Sequence, residues 1–135
     1  MSLAVVDASV LVAFYASDDP RQVEVTQRLS LGDALFAPAH LDAEVVSALR
    51  GMARVNPQLD QVVPRALPHL AGFPIRRVPL ASLLARMWAL RNNITPYDAA
   101  YVALAEQLGC TLITCDAKLA GATGARCPFE VITGR

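Results

Sequence analysis

The stretch from Thr95 to Asp116 reads Thr-Pro-Tyr-Asp-Ala-Ala-Tyr-Val-Ala-Leu-Ala-Glu-Gln-Leu-Gly-Cys-Thr-Leu-Ile-Thr-Cys-Asp. It narrows the available folds more than any other part of the chain. Thr95 is a natural N-cap and Pro96 suits the first helical position, so Asp98 falls in the first turn. Gly109 stops the helix. Thr111 to Thr114 then reads as a short β-branched strand, and Asp116 follows its carboxyl end. The unit therefore carries a carboxylate at each of its two ends. In open α/β sheets the carboxyl ends of strands are where ligands are held.

The remaining segments repeat this logic less sharply. Leu3 to Asp7 is an apolar run closed by an acid, with a helical turn over Val10 to Ala16. Arg21 to Leu31 fits a moderately amphipathic helix, Ala34 to Pro38 a second strand, and Leu41 to Arg54 a helix. In that last helix Leu41, Val45, Ala48, Leu49 and Met52 form an apolar stripe. Glu44 borders the stripe near the helix start, while Arg50 and Arg54 share the solvated face. Asn56-Pro57 opens a helix to about Leu70, with Pro64 and Pro68 arguing against its regularity. Ile75 to Val78 is a weak strand, Ala81 to Arg91 helical, Ala117 to Ala122 a short helix and Glu130 to Thr133 a last strand. Strands alternating with helices predict an α/β fold whose parallel sheet is covered on both faces through right-handed crossovers.

With 135 residues, no internal repeat and no long linker, one domain over residues 1–135 is expected. The apolar fraction of 54% argues against disorder and leaves apolar surface for a partner. The amino terminus lacks a basic region followed by a long apolar one, and Ser82 and Arg86 interrupt the run Leu80 to Leu90. The expectation is therefore no signal peptide, no membrane span and a cytoplasmic protein. Cys110, Cys115 and Cys127 form no CxxC and suggest small buried hydrophobes in a reducing compartment. Charge is uneven although its sum is zero. Met1 to Glu44 has seven acids against two arginines, whereas Val45 to Tyr97 has seven arginines (Arg50, Arg54, Arg65, Arg76, Arg77, Arg86, Arg91) against Asp60. Such a basic middle segment suits a phosphate-bearing partner, or is simply a set of solvated helix faces.

Four acids, Asp7, Glu44, Asp98 and Asp116, converge on the strand carboxyl ends in this arrangement. Singly, each has a local explanation: Asp7 and Asp116 as N-caps, Asp98 as part of a capping arrangement with Thr95, Glu44 as a solvated helix residue. Together they would repel one another unless a proton or a cation relieved them. No lysine or histidine adjoins them to offer a simple salt bridge. An all-carboxylate cluster suits Mg2+ or Mn2+, whereas zinc would require more cysteine and histidine. Ser9 and Thr114 can orient such ligands, or merely cap the following backbone. The glycine-rich phosphate motifs and GxSxG are absent, and His40 and His69 stand in no triad setting. His40 reads as a loop or capping residue, Tyr101 as core, Tyr97 as exposed at the site mouth, and Trp88 as packed in the core or a subunit interface.

Val5-Val6-Asp7-Ala8-Ser9, Leu41-Asp42-Ala43-Glu44-Val45, Thr95 to Ala105 and Leu112-Ile113-Thr114-Cys115-Asp116-Ala117-Lys118-Leu119, in this order, resemble a PIN-domain ribonuclease of the VapC toxin type. The resemblance implies a three-layer α/β/α sandwich with a central parallel sheet, homodimerisation, and an acidic pocket holding Mg2+ or Mn2+ for RNA cleavage. It assigns Asp7, Glu44, Asp98 and Asp116 to catalysis, with Asp7, Asp98 and Asp116 on the metal and Ser9 and Thr114 beside them. It also implies a small antitoxin that covers the groove and often inserts a basic side chain into the pocket. RNA phosphates would fall to middle-segment arginines such as Arg50, Arg54 and Arg91. The alternative is a catalytically silent PIN-like module binding RNA or protein, against which the complete acid set argues. A haloacid-dehalogenase-like phosphatase would want an acid where Ser9 stands, and Lys118 is only loosely placed for a receiver domain.

Overall fold

The computed structural model describes residues 2–134. Five strands, β1 (Leu3–Val6), β2 (Ala34–Pro38), β3 (Ile75–Val78), β4 (Thr111–Thr114) and β5 (Phe129–Val131), form one sheet in the order β3-β2-β1-β4-β5. Every pairing is parallel, with Val5 opposite both Phe36 and Leu112. Ala4, Val5 and Val6 are all fully buried. A strand that hides successive residues must be covered on both faces, which is why its sequence shows no polar alternation.

Seven α-helices supply the two outer layers: α1 (Ala8–Tyr15), α2 (Gln22–Leu29), α3 (Leu41–Val55), α4 (Leu59–Ala71), α5 (Leu84–Ala89), α6 (Pro96–Leu108) and α7 (Ala117–Ala120). Helix α6 packs on β1, β2 and β4 and is backed by α5, while α1 meets β4 and packs against α2 and α3, which in turn carries α4. Ala99 to Ala105 are all buried, and four of the seven are alanines, so α6 is hidden on most sides and sits close to the sheet. Thr95 Oγ1 accepts from the Asp98 N–H at 3.3 Å, and Gly109 closes the helix at a φ of 65°. A positive φ of that kind costs glycine no Cβ clash.

Several boundaries moved, among them the first helix, which spans Ala8–Tyr15, and the helix opened by Asn56-Pro57, which starts at Leu59. The segment expected as one helix from Ala81 to Arg91 is a 3-10 turn (Leu80–Leu83) followed by α5. The last strand begins one residue earlier than expected and ends at Val131, the terminal helix ends at Ala120, and the helix expected over Arg21 to Leu31 is confined to α2. Helix α4 runs unbroken through Pro64 and Pro68. Asp60, Pro64 and Pro68 lie at i, i+4 spacing on its exposed side, so the carbonyls that lose a partner are left to water. Trp88 is not a core residue. It is 68% exposed because Leu83 and Leu90 take the inward positions around it.

Candidate active site

Asp7 leaves β1 with its N–H still bonded to the Ile113 carbonyl at 3.0 Å, so its backbone is the last rung of the sheet. The side chain makes no cap to α1. Instead its Oδ2 accepts from Thr114 Oγ1 at 2.6 Å and from Ser9 Oγ at 3.0 Å. Each hydroxyl is itself oriented by a backbone donor: the Cys115 N–H reaches Ser9 Oγ, and the Asp116 N–H reaches Thr114 Oγ1, both at 3.0 Å. Two relays thus run from the end of β4 into one oxygen of Asp7, each hydroxyl both donating and accepting. At 6% exposure, burial pushes the Asp7 pKa up, and the Thr114 and Ser9 hydroxyls pull against it.

Asp116 combines the two roles that sequence could not separate. Its Oδ1 caps α7 by accepting from the Lys118 and Leu119 N–H groups at 2.9 and 3.3 Å, while the side chain lines the same cleft as Asp7. Asp98, in the first turn of α6, has its pKa pushed up to about 6, by burial first and then by the charges of Asp7, Glu44 and Asp116. Glu44 projects from the first turn of α3 and is held by two residues whose link to it the sequence did not show. Tyr101 Oη donates to Glu44 Oε1 at 2.6 Å, and His40 Nε2 lies 3.3 Å from the same oxygen. His40, not a neighbour of Glu44 in sequence, is brought beside it by one turn of helix. His40 Nε2 is also 3.0 Å from the Tyr97 carbonyl, which can only accept, so Nε2 carries the proton. Burial and Glu44 hold the Tyr101 phenol protonated.

The cleft has a volume of about 330 Å³ and is lined by Asp7, Ser9, Glu44, Asp98 and Asp116, with Ala8, Val12, Ala48 and Arg21. Asp7 and Asp116 reach it from the carboxyl ends of β1 and β4, and Glu44 and Asp98 from the first turns of α3 and α6. A larger cleft of about 620 Å³ lies beside α3 and α4, but its one acid, Asp42, is already paired with Arg77. Among the described residues no three acidic, histidine or cysteine side chains are drawn together tightly enough to hold an ion as they stand. The donors around the acidic cleft are hard oxygens throughout, which fits a hard cation and not zinc. The three cysteines are unpaired.

The arginines divide by environment. Arg50 and Arg54 flank a separate cleft with Asp60 and Val63. Arg91 sits over the Trp88 ring at 4.2 Å. Arg86 forks onto Glu106 and also reaches the Gly124 carbonyl. Arg21, which sequence did not single out, is the residue that joins the acids.

In chelator, the buried Asp98 carboxyl, crowded by its neighbours, sets a pH dependence. A folded-state pKa of about 6 for Asp98, against 3.8 ordinarily, contributes stability that is fully present below 3.8 and lost as pH rises through about 6. Asp19, Asp33 and Glu106 are shifted the other way, and their loss falls at more acidic pH, outside this window. The expected result is a melting temperature roughly 3 °C higher at pH 5 than at pH 7. Asp98→Asn flattens that rise; a parent protein that melts lower at pH 5 than at pH 7 contradicts the raised Asp98 pKa.

A parallel sheet covered on both faces, with four carboxylates around one cleft at its carboxyl edge, is the architecture of an acid-cluster α/β domain. The family model described as the PIN domain matches residues 4–124. The chain is 44% identical over 118 residues to ribonuclease VapC3 of Mycobacterium tuberculosis, covering 87% of this chain and 85% of the relative. It is 36% identical over 130 residues to ribonuclease VapC9 of the same organism, covering 96% and 98%. The chain belongs to the PIN-domain family, among the VapC ribonucleases. Two solved structures share the fold. VapC20 of Mycobacterium tuberculosis, described as a Sarcin-Ricin loop cleaving toxin, aligns with a TM-score of 0.68 at 17% identity over 91% of this chain and 96% of its own. A toxin-antitoxin complex from Klebsiella pneumoniae aligns with a TM-score of 0.62 at 20% identity over 98% of each chain.

Proposed function

We propose that this chain is a metal-dependent endoribonuclease, the toxin of a toxin-antitoxin pair, which hydrolyses RNA phosphodiester bonds with an activated water. The observation that carries the reading is the convergence of Asp7, Glu44, Asp98 and Asp116, from four separate elements, on one cleft. The VapC ribonuclease names of its relatives point the same way. Asp7, Asp98 and Asp116 would hold Mg2+ or Mn2+, directly or through water, and the bound ion would supply charge neutralisation at the phosphate and activation of water. Asp7 presents its free Oδ1 while Oδ2 is fixed by Ser9 and Thr114. Glu44, its Oε1 held by Tyr101, keeps Oε2 to complete the cluster or to take the proton of the attacking water. Arg50, Arg54 and Arg91 are exposed and suit RNA phosphates away from the scissile bond.

An antitoxin partner accords with the toxin-antitoxin complex among the structural neighbours. A homodimer has apolar surface available in Leu84 and Trp88, exposed on α5. Unpaired thiols suit the cytoplasm, and among the described residues no helix is long and apolar enough to cross a membrane. The test is incubation of the protein, freed of antitoxin, with total RNA. Fragments are expected with Mg2+ or Mn2+ and none after chelation; intact RNA with either ion, or cleavage that persists in chelator, overturns the reading.

A further inference from the structure

Arg21 is the one cationic residue among those lining the acidic cleft. It stands in the turn between α1 and α2 and is gripped from one side by Asp19. Its Nε donates to Asp19 Oδ1 at 2.9 Å, its Nη2 to Oδ2 at 2.7 Å, and its backbone N–H to Oδ1 at 2.8 Å. These hydrogen bonds hold the Asp19 carboxyl below the usual carboxylate range. Asp19 is 9% exposed at the side chain and Arg21 31%, so the anchor is hidden while the cation remains accessible.

A guanidinium has five N–H donors in a fixed plane. Asp19 takes two along the Nε edge, which leaves both donors of Nη1 and one of Nη2. One from each Nη forms the end-on fork that matches two oxygens of a phosphate. Among the described residues Arg21 makes its single ion pair with Asp19, and none of the four cleft acids has captured it. An arginine serving only to tie the turn together would have no need to line the cleft with its second fork unengaged among the described residues.

We propose that Arg21 is the phosphate-binding residue of the cleft, receiving non-bridging oxygens of the RNA phosphate at or beside the scissile bond while Asp19 keeps the guanidinium aimed. This rests on the ribonuclease reading. A polyanion entering a cleft lined by four carboxylates gains from a fixed positive charge beside any bound ion, and Arg21 lines that cleft. Its fork also discriminates by shape, which a lysine ammonium does not.

The test uses the full chain carrying Asp7→Asn, so that RNA is bound and not cut, with Mg2+ and a short fluorescent single-stranded RNA of mixed sequence read by anisotropy across a salt series. Arg21→Gln is expected to weaken binding about tenfold and to make the slope of log affinity against log salt shallower by about 0.7, the value of one lost single-strand phosphate contact. Arg21→Lys restores the slope without the full affinity. Asp19→Asn lowers the melting temperature as much as Arg21→Gln does, but it keeps the charge and loses only the aim, so binding weakens by less than with Arg21→Gln and the slope is retained, which separates the phosphate contact from the pair's part in stability. Arg21→Gln with the parental affinity and slope, or Asp19→Asn losing the slope equally, overturns the assignment. A parent protein that neither binds nor cleaves RNA overturns the ribonuclease reading itself, so the two failures are told apart.

Discussion

Asp7→Asn is expected to cut RNA cleavage at least a hundredfold while leaving the melting temperature in chelator unchanged or higher. The two effects have one origin. Asp7 is an anion whose burial raises its pKa, so the fold tolerates its charge at a cost. An asparagine can still accept from Thr114 and Ser9 through its carbonyl oxygen, which preserves both hydroxyl relays. What it removes is the negative charge offered to a cation, replacing one ligand oxygen with an amide N–H2 that cannot ligate. A hundredfold loss corresponds to about 2.7 kcal/mol of transition-state stabilisation. Fluorescent-RNA cleavage and a thermal melt on the same preparation check it. Parental cleavage by Asp7→Asn would remove Asp7 from the chemistry, and a lower melting point would mean that the carboxylate supports the fold.

The largest effect on stability is expected from Arg77→Ala, far from any chemistry. Arg77 forks onto Asp42 at 3.1 and 2.9 Å and also donates to the carbonyls of Leu70, Phe73 and Ile75 at 2.6, 3.0 and 3.0 Å. It therefore ties the first turn of α3, the end of α4 and the entry to β3 together through one side chain. Helix carbonyls without an intrahelical partner need such donors. Truncation removes five hydrogen bonds at once, although the Leu70 and Phe73 carbonyls keep the Phe73 and Ile75 N–H groups as donors, and a loss of about 1–3 kcal/mol is expected. Asp42→Asn should cost less, because Asp42 is 42% exposed at the side chain and water can replace part of what it loses. Arg77→Met keeps the aliphatic stem and isolates the polar part. Urea melts of the three variants, compared with Arg54→Ala on the solvated face, check the order. An Arg77→Ala protein as stable as Arg54→Ala would show that the carbonyls are satisfied without it.

Arg77 and Arg21 show where a reading of the sequence runs out. The basic middle segment reads as seven arginines suited either to a phosphate-bearing partner or to solvated helix faces. In the fold, Arg77 bolts three elements together, Arg86 is engaged by Glu106, and Arg91 lies over Trp88. Arg21, in the acidic part of the chain, is the one that reaches the cleft. Charge counted along a chain says how much is present, not which way each side chain turns. Trp88, read as packed in the core or a subunit interface, is kept out of the core because Leu83 and Leu90 fill the inward positions, which leaves the interface option.

Sequence by itself determined the parallel α/β plan, the capped helix from Thr95 to Gly109 and the four acids at strand ends and first turns. It could do so because caps, glycine stops and apolar spacing act within a few residues of one another. Only the tertiary structure decided how those acids are held. Tyr101 reaches Glu44 across 57 positions, and Thr114 reaches Asp7 across 107. Contacts at that separation leave no local pattern, since either partner would look the same in its own segment whether or not the other stood opposite. The Asp116 side chain shows both levels at once: its cap on α7 is a local feature, and its place beside Asp7 exists because β1 and β4 pair in the sheet.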